Sequence, residues 1–339
     1  MAETNRLEAE SEKPFYGLLP ALRRLDERLK LWLDNAQAAD SSETDAQPYP
    51  GLWLSLNELS RLLEREPGAP TVALAEDLFR EPLLALSDNS QLGWLAKEYG
   101  LSSFDLDVML IALAPELDLR YERIFAYLQD DITCKRPTVD LALNLLCPSA
   151  SVKRARREHF APGAPLIRNG LLQLVVDSEQ SRPELAEQII LQPQVVNLVL
   201  GRRTLDARLS SCCQLIDPAI SLRDVPISAD LKQALPKLVA QAREIDGSLK
   251  LYFHGPRGAS KRQTAEALAA EVNSRLLVVE LKDALSSKTD FDQTLSLIFR
   301  EARFRNALLY FENLEALEEE RAVQYRQFLK IVNAEQGVV

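Results

Sequence analysis

The residues Gly255, Pro256, Arg257, Gly258, Ala259, Ser260, Lys261, Arg262 and Gln263 have the types and spacing of a phosphate cradle. They follow an apolar run, LKLYFH, and open a helical run, TAEALAAEVN. A strand that turns through glycines into a helix aims backbone N–H groups and the positive end of the helix dipole at one point, where an anion binds. Gly255 and Lys261 match the first glycine and the lysine of G-x-x-x-x-G-K-[ST], and Gly258 matches the form G-x-x-G-x-G-K-T. Ser260 stands where the second glycine is required, and Arg262 stands where a hydroxyl would hold Mg²⁺. Thr264 comes two residues late and on another side of the helix.

A second pair of chemical groups ends the run LLYFEN. Glu312 takes the position of an Asp that reaches Mg²⁺, and Asn313 that of a Glu that orients an attacking water. A carboxylate one methylene longer still reaches a metal, so Glu312 is the candidate Mg²⁺ ligand; it is equally readable as a polar strand end. Asn313 cannot serve as a carboxylate base, and hydrolysis loses its usual activator. Plainer readings stand beside the others. Lys261 could be a solvated lysine at a helix start and Arg262 an exposed helix arginine. His254 reads as packing against the sheet, and Lys153, Arg154, Arg156 and Arg157 as a solvated loop face.

The elements that must position these groups alternate from Ser228 onward: helix, strand, glycine-bearing loop, helix, strand, helix, strand. That order predicts a parallel α/β sheet of βαβ units. Upstream, Leu18, Leu22, Leu25, Leu29, Trp32 and Leu33 recur at helical spacing, and NAQAADSSETDAQP reads as a flexible linker. Short helices crowd the stretch up to Pro148, with Leu56, Leu59, Leu62 and Leu63 among their periodic positions. Ser102 or Ser103 caps a helix with Asp105 and Asp107 in its first turn, which Pro115 ends or kinks, and Thr138 caps the next. Asn169-Gly170, with apolar residues on both sides, predicts a hairpin turn and hence a wing. Helices ordered around a small sheet suggest a winged helix. The division expected is 1–48 for the first helix and linker, 49–182 for a winged-helix-like domain, 183–225 for a connecting segment with a strand pair and short helices, and 226–339 for a partial P-loop domain. Leu317, Val323, Phe328 and Ile331 are core-like positions of the last helix. The fold class is mixed α/β.

Composition narrows the partners. A net charge of −10 over 339 residues repels nucleic acid and anionic membrane. Between Val72 and Ala150 there are 13 acidic and 6 basic side chains, which argues against a DNA-reading helix and for a protein-interaction module. No leader or apolar span is visible, so the default location is cytoplasmic. Cys134, Cys147, Cys212 and Cys213 form no CxxC pair and no zinc spacing; Cys212 and Cys213 read as the end of a helix rather than a vicinal disulfide.

The chain resembles a bacterial AAA+ family with an N-terminal winged-helix-like region, whose members include ATPases found alongside extracellular contractile injection systems. The stretches that carry the resemblance are LAKEYGLSSFDLDVMLIALAPELDLRYERIFAYLQDD, RPTVDLALNLL, APGAPLIRNGLLQL, VVNLVLGRRTLDARL and HGPRGASKRQTAEALAAE. It implies ATP or ADP with Mg²⁺ as cofactor and a homo-oligomer, a hexameric ring when complete. It also implies a protein substrate or assembly partner to be remodelled or loaded, with no nucleic acid or membrane. The residues after Val225 amount to about one small domain, which accommodates strands one to three. The sensor residue, arginine finger and helical lid of such proteins lie beyond that point. The degenerate motifs imply weak or absent hydrolysis. A non-catalytic scaffold or adaptor is the alternative, and a DNA-binding regulator a more distant one.

Overall fold

The chain divides into two units, Met1–Arg203 and Thr204–Val339. A computed structural model describes residues 17–35, 60, 63–72, 74–85, 90–176, 183–202, 204–244, 248–256, 260–286, 290–318, 322–335 and 337–339. The linker NAQAADSSETDAQP beyond Asn35, and Leu56, Leu59 and Leu62, lie outside the described residues, and Leu63 is exposed. Among the described residues no helix is long and apolar enough to cross a membrane.

In the first unit, helix α1 (17–35) buries Leu18, Leu22, Leu25, Leu29 and Trp32, the stripe its periodicity predicts. Helix α2 (Gln91–Tyr99) starts at Ser90, whose hydroxyl accepts from Gly93 N–H, and stops at Gly100 in the left-handed region. Helix α3 (Ser103–Leu117) opens on a full capping box: Ser102 Oγ accepts from Asp105 N–H while Asp105 accepts from Ser102 N–H. Every residue of α3 from Phe104 to Pro115 is buried, so this helix is the centre of the unit. Pro115 sits in its last turn. Helices α4 (Arg120–Leu128), α5 (Val139–Leu146, capped by Thr138) and α6 (Ala150–Arg156, capped by Ser149) follow.

The wing departs from its expected turn. Pro165 starts a short helix, α7 (Pro165–Arg168), as proline at a first helical position does. Gly170, at φ 59°, then closes it. Gly170 N–H bonds Ile167 O at 2.9 Å and Leu171 N–H bonds Leu166 O at 2.9 Å, the paired bonds of a Schellman stop. Asn169-Gly170 is therefore a helix terminator and not a hairpin turn. The antiparallel ladder lies downstream, between β1 (Leu172–Val175) and β2 (Gln188–Leu191), with Leu172 opposite Leu191. Thr138 bridges Gln188 on the far side of β2, and helix α8 (Pro193–Val199) follows.

The second unit wraps helices around a sheet of order β3-β5-β6. Strand β3 (Cys213–Ile216) runs antiparallel to β5 (Arg275–Glu280), and β5 runs parallel to β6 (Ala307–Glu312). The sheet is thus mixed, not wholly parallel. Helices α9 (Ala229–Glu244) and α10 (Lys261–Glu271) pack on Leu276 and Val278. Helices α11 (Leu281–Leu285), α12 (Phe291–Arg305), α13 (Glu315–Glu318) and α14 (Ala322–Ala334) contribute to the core around Leu277 and Val279. Alternation along β5 feeds both cores.

The run LKLYFH is only briefly a strand: β4 (Ser248–Leu249) pairs in parallel with β7 (Gly337–Val338), which also approaches β6. Strand β7 is thus one more than the three expected. Cys213 opens β3 instead of ending a helix, and its sulfur lies 3.7 Å from that of Cys212, both thiols free. Val323 is 60% exposed, whereas Phe328 and Leu317 are buried, the latter in α13.

Candidate functional site

The chain leaves β4 without regular structure as far as Pro256; Arg257, Gly258 and Ala259 lie outside the described residues. It re-enters at Ser260, which sits at φ 54°, ψ 24°, a left-handed conformation that glycine adopts freely. For a serine that conformation costs about 1 kcal/mol. Lys261 is the first residue of α10, and its ammonium donates to Gly255 O at 3.1 Å. Ser260 makes no side-chain cap, and the first-turn N–H groups of Lys261, Arg262 and Gln263 have no intrahelical acceptor. Gln263 is exposed.

Arg262 ties this helix start to the sheet. Its Nε donates to Glu266 Oε1 at 3.1 Å, its Nη2 to Gln214 Oε1 at 2.9 Å, and its Nη1 lies 3.6 Å from Glu312 Oε2. The start of α10 and the end of β6 are therefore neighbours. Glu312 pairs in register with Glu280 at the end of β5. Asn313, at φ 59°, donates through Nδ2 to Glu280 Oε2 at 2.6 Å, and Glu280 Oε1 caps α11 by accepting from Lys282 N–H. Burial lifts the Glu312 carboxyl above its ordinary range; Arg262 opposes the shift, and Glu280 and Glu266 add to it. The nearby Tyr310 phenol is pushed up to about 12, chiefly by burial.

The Thr264 hydroxyl, buried, donates to Ser260 O at 2.9 Å, as a helix threonine does. Among the described residues there is no group of three or more His, Cys, Asp or Glu able to hold a metal. Glu312 faces a guanidinium. A divalent ion beside it would meet like charge at a few ångströms, on the order of several kcal/mol of repulsion even at protein-surface dielectric. These residues do not compose an Mg²⁺ site.

Gln214, Glu266 and Glu280 were not singled out by motif. Glu280 had a signal, since it ends the strand paired with the Glu312 strand; Gln214 had none. His254 is exposed, its ring centroid 6.1 Å from that of Tyr252, and does not pack against the sheet.

In the first unit the basic cluster lies on a helix and its following turn instead of a loop; Arg154 and Arg157 are exposed, as a solvated face predicts, and Lys153 is not. Lys153 is buried, and its ammonium contacts Asp140 Oδ1 and Asn144 Oδ1, each at 2.7 Å. Arg156 stacks over Phe104, and Arg157 pairs with Glu184. Asp105 joins the cap of α3 to His159 Nδ1 at 2.8 Å, and Ser102 Oγ donates to Asp105, not to the imidazole. That arrangement clamps helices together and presents no activated nucleophile.

The family model described as winged helix domain, variant, matches residues 18–212, from α1 to the start of β3. No curated protein and no solved structure matches the chain. The match spans more than half of the sequence, and on that ground the chain belongs to the winged helix domain, variant, family.

Proposed function

We propose that residues 204–339 form a nucleotide-binding module of the P-loop, AAA+ type, in which the Gly255–Gln263 loop binds the phosphates of ATP or ADP and turnover by this chain is weak or absent. The observation that carries this reading is Ser260: a non-glycine residue in the left-handed region, directly before a lysine that opens an 11-residue helix. Strain of that kind persists where the surrounding fold requires it. Lys261 supplies a point charge and the helix start supplies free N–H groups. Asn313 in place of a carboxylate base supports the loss of hydrolysis. The acidic winged-helix unit then serves as a protein-interaction module. The larger setting would be a homo-oligomeric ring that remodels or loads a protein partner, as in the ATPases of contractile injection systems.

Titration calorimetry with ATP tests the reading. Binding by the wild-type chain and a loss of at least about tenfold in Lys261→Ala, about 1.4 kcal/mol, is the outcome expected. Unchanged affinity in that variant would overturn it.

A second reading, a scaffold that keeps the loop only as architecture, is favoured by the Lys261 ammonium being turned back onto Gly255 O. Absence of binding in both proteins would select it.

A further inference from the structure

A groove of about 410 Å³ lies in the second unit where β3 ends and where β5 and β6 begin, lined by Asp217, Asn273, Ser274, Arg275 and Arg305 among others. Its size is that of a small-molecule site, and every residue that lines it is described. It is separate from the Lys261 loop. Strands β5 and β6 pair from Arg275 with Ala307 to Glu280 with Glu312, which puts the groove and the Glu312 end about 17 Å apart along the strands. We propose that this groove binds a small ligand through a singly charged carboxylate, held by the Arg275 guanidinium and the Ser274 hydroxyl.

The observation that points to a ligand is Ser274. It is 6% exposed, and its hydroxyl is buried without a hydrogen-bond partner. A buried hydroxyl left unpaired is costly, and an acceptor that arrives with a ligand accounts for it. Arg275, the next residue, supplies the charge. Its Nε lies 2.7 Å from Asp217 Oδ1, and its two terminal nitrogens have no hydrogen-bond acceptor among the described residues. The Asp217 side chain is 79% exposed, so water screens it and it neutralises Arg275 only weakly. Arg305 differs, because its Nε is taken by Glu301 at 2.9 Å with both side chains buried. Arg275 and Arg305 against Asp217 and Glu301 balance two to two, so the groove does not repel a monoanion. The open edge of the Arg275 fork matches the two oxygens of a carboxylate, with the Ser274 hydroxyl as a further donor and the exposed Asn273 amide beside it. A doubly charged phosphate suits the groove less, because α10 and α12 both end here and bring the negative ends of their dipoles to it.

The test titrates the whole chain with propionate, and with propionamide and inorganic phosphate at matched ionic strength, followed by ligand-observed NMR. Saturable propionate binding with a Kd on the order of 1 mM is expected, with propionamide at least about tenfold weaker and phosphate no tighter than propionate. No saturable propionate binding, propionamide within about tenfold of it, or tighter binding of phosphate overturns the proposal. Ser274→Ala removes a hydroxyl that has no partner, so the ligand-free protein should keep its urea midpoint while propionate affinity falls about tenfold. Unchanged affinity in this variant, or a lowered midpoint, overturns the proposal. Arg275→Gln should lose about tenfold or more, and retained affinity in it counts equally against the site. Should Arg275→Gln not fold, Ser274→Ala and the three ligands decide. The nucleotide reading stands or falls separately.

Discussion

The carboxyl groups of Asp105 and Glu312 shift from their ordinary range in opposite directions, and each says what its residue does. Burial alone would raise Asp105, but hydrogen bonds from His159 and from the Ser102 side chain and backbone outweigh it, and the carboxyl ends below its usual 3.8. A carboxyl depressed on folding binds fewer protons in the native state than in the unfolded one. Its stabilisation is complete above 3.8 and fades as pH falls through the lower folded value. Asp105→Asn should therefore cost about 1–3 kcal/mol at pH 7, from loss of the charged cap and of the His159 contact. The gap to wild type should narrow at about pH 3. Urea denaturation at both values reads this, and an undiminished gap in acid would refute the charge assignment. Glu312 runs the other way. Burial raises it, so the strain of its charge is absent at low pH and grows as pH rises through the folded value. Arg262 is the residue that contains that strain.

At the scale of elements, what could be read in the sequence was what is decided locally. The cap at Ser102 with Asp105 and the cap at Thr138 rest on contacts spanning three residues, and both are present. Strands β5 and β6 are continuous apolar runs that no exposed element could tolerate. Strand β4 shrank because its partner, β7, lies some ninety residues further on. The antiparallel seating of β3 against β5 is equally non-local, since nothing in CQLI states its direction. The site divides in the same way. Lys261, Arg262 and Glu312 follow from motif spacing, whereas Gln214 and Glu280 are brought in by sheet register. Asn169-Gly170 misleads because the same left-handed glycine serves a hairpin and a helix stop; Pro165, four residues before Asn169, is the cue that selects the helix. Gly170→Ala should cost about 1–2 kcal/mol in the denaturation midpoint of this unit, because φ 59° is unfavourable for any residue with a Cβ. A neutral effect would mean that the stop is not held in that conformation.

For the whole molecule, the chain divides at Arg203–Thr204 into two units, and a ligand held by one of them alone would have a thermodynamic signature. A ligand that binds only the native state stabilises what it binds by RT ln(1 + [L]/Kd), about 2.7 kcal/mol at a hundredfold excess over Kd. If the phosphate site belongs wholly to residues 204–339, that energy goes to the second unit alone. Scanning calorimetry should then resolve two transitions, with ATP raising one midpoint by roughly 10 °C. The variants assign the transitions independently. Asp105→Asn and Gly170→Ala should lower the midpoint that ATP leaves unmoved, and Lys261→Ala should abolish the shift of the other. ATP raising both midpoints together would show that the winged-helix unit and the loop share one folding transition. The nucleotide would then be coupled to the interaction module through stability itself, and the partner's affinity for the winged-helix unit should change with nucleotide by the same factor in both directions of the linkage.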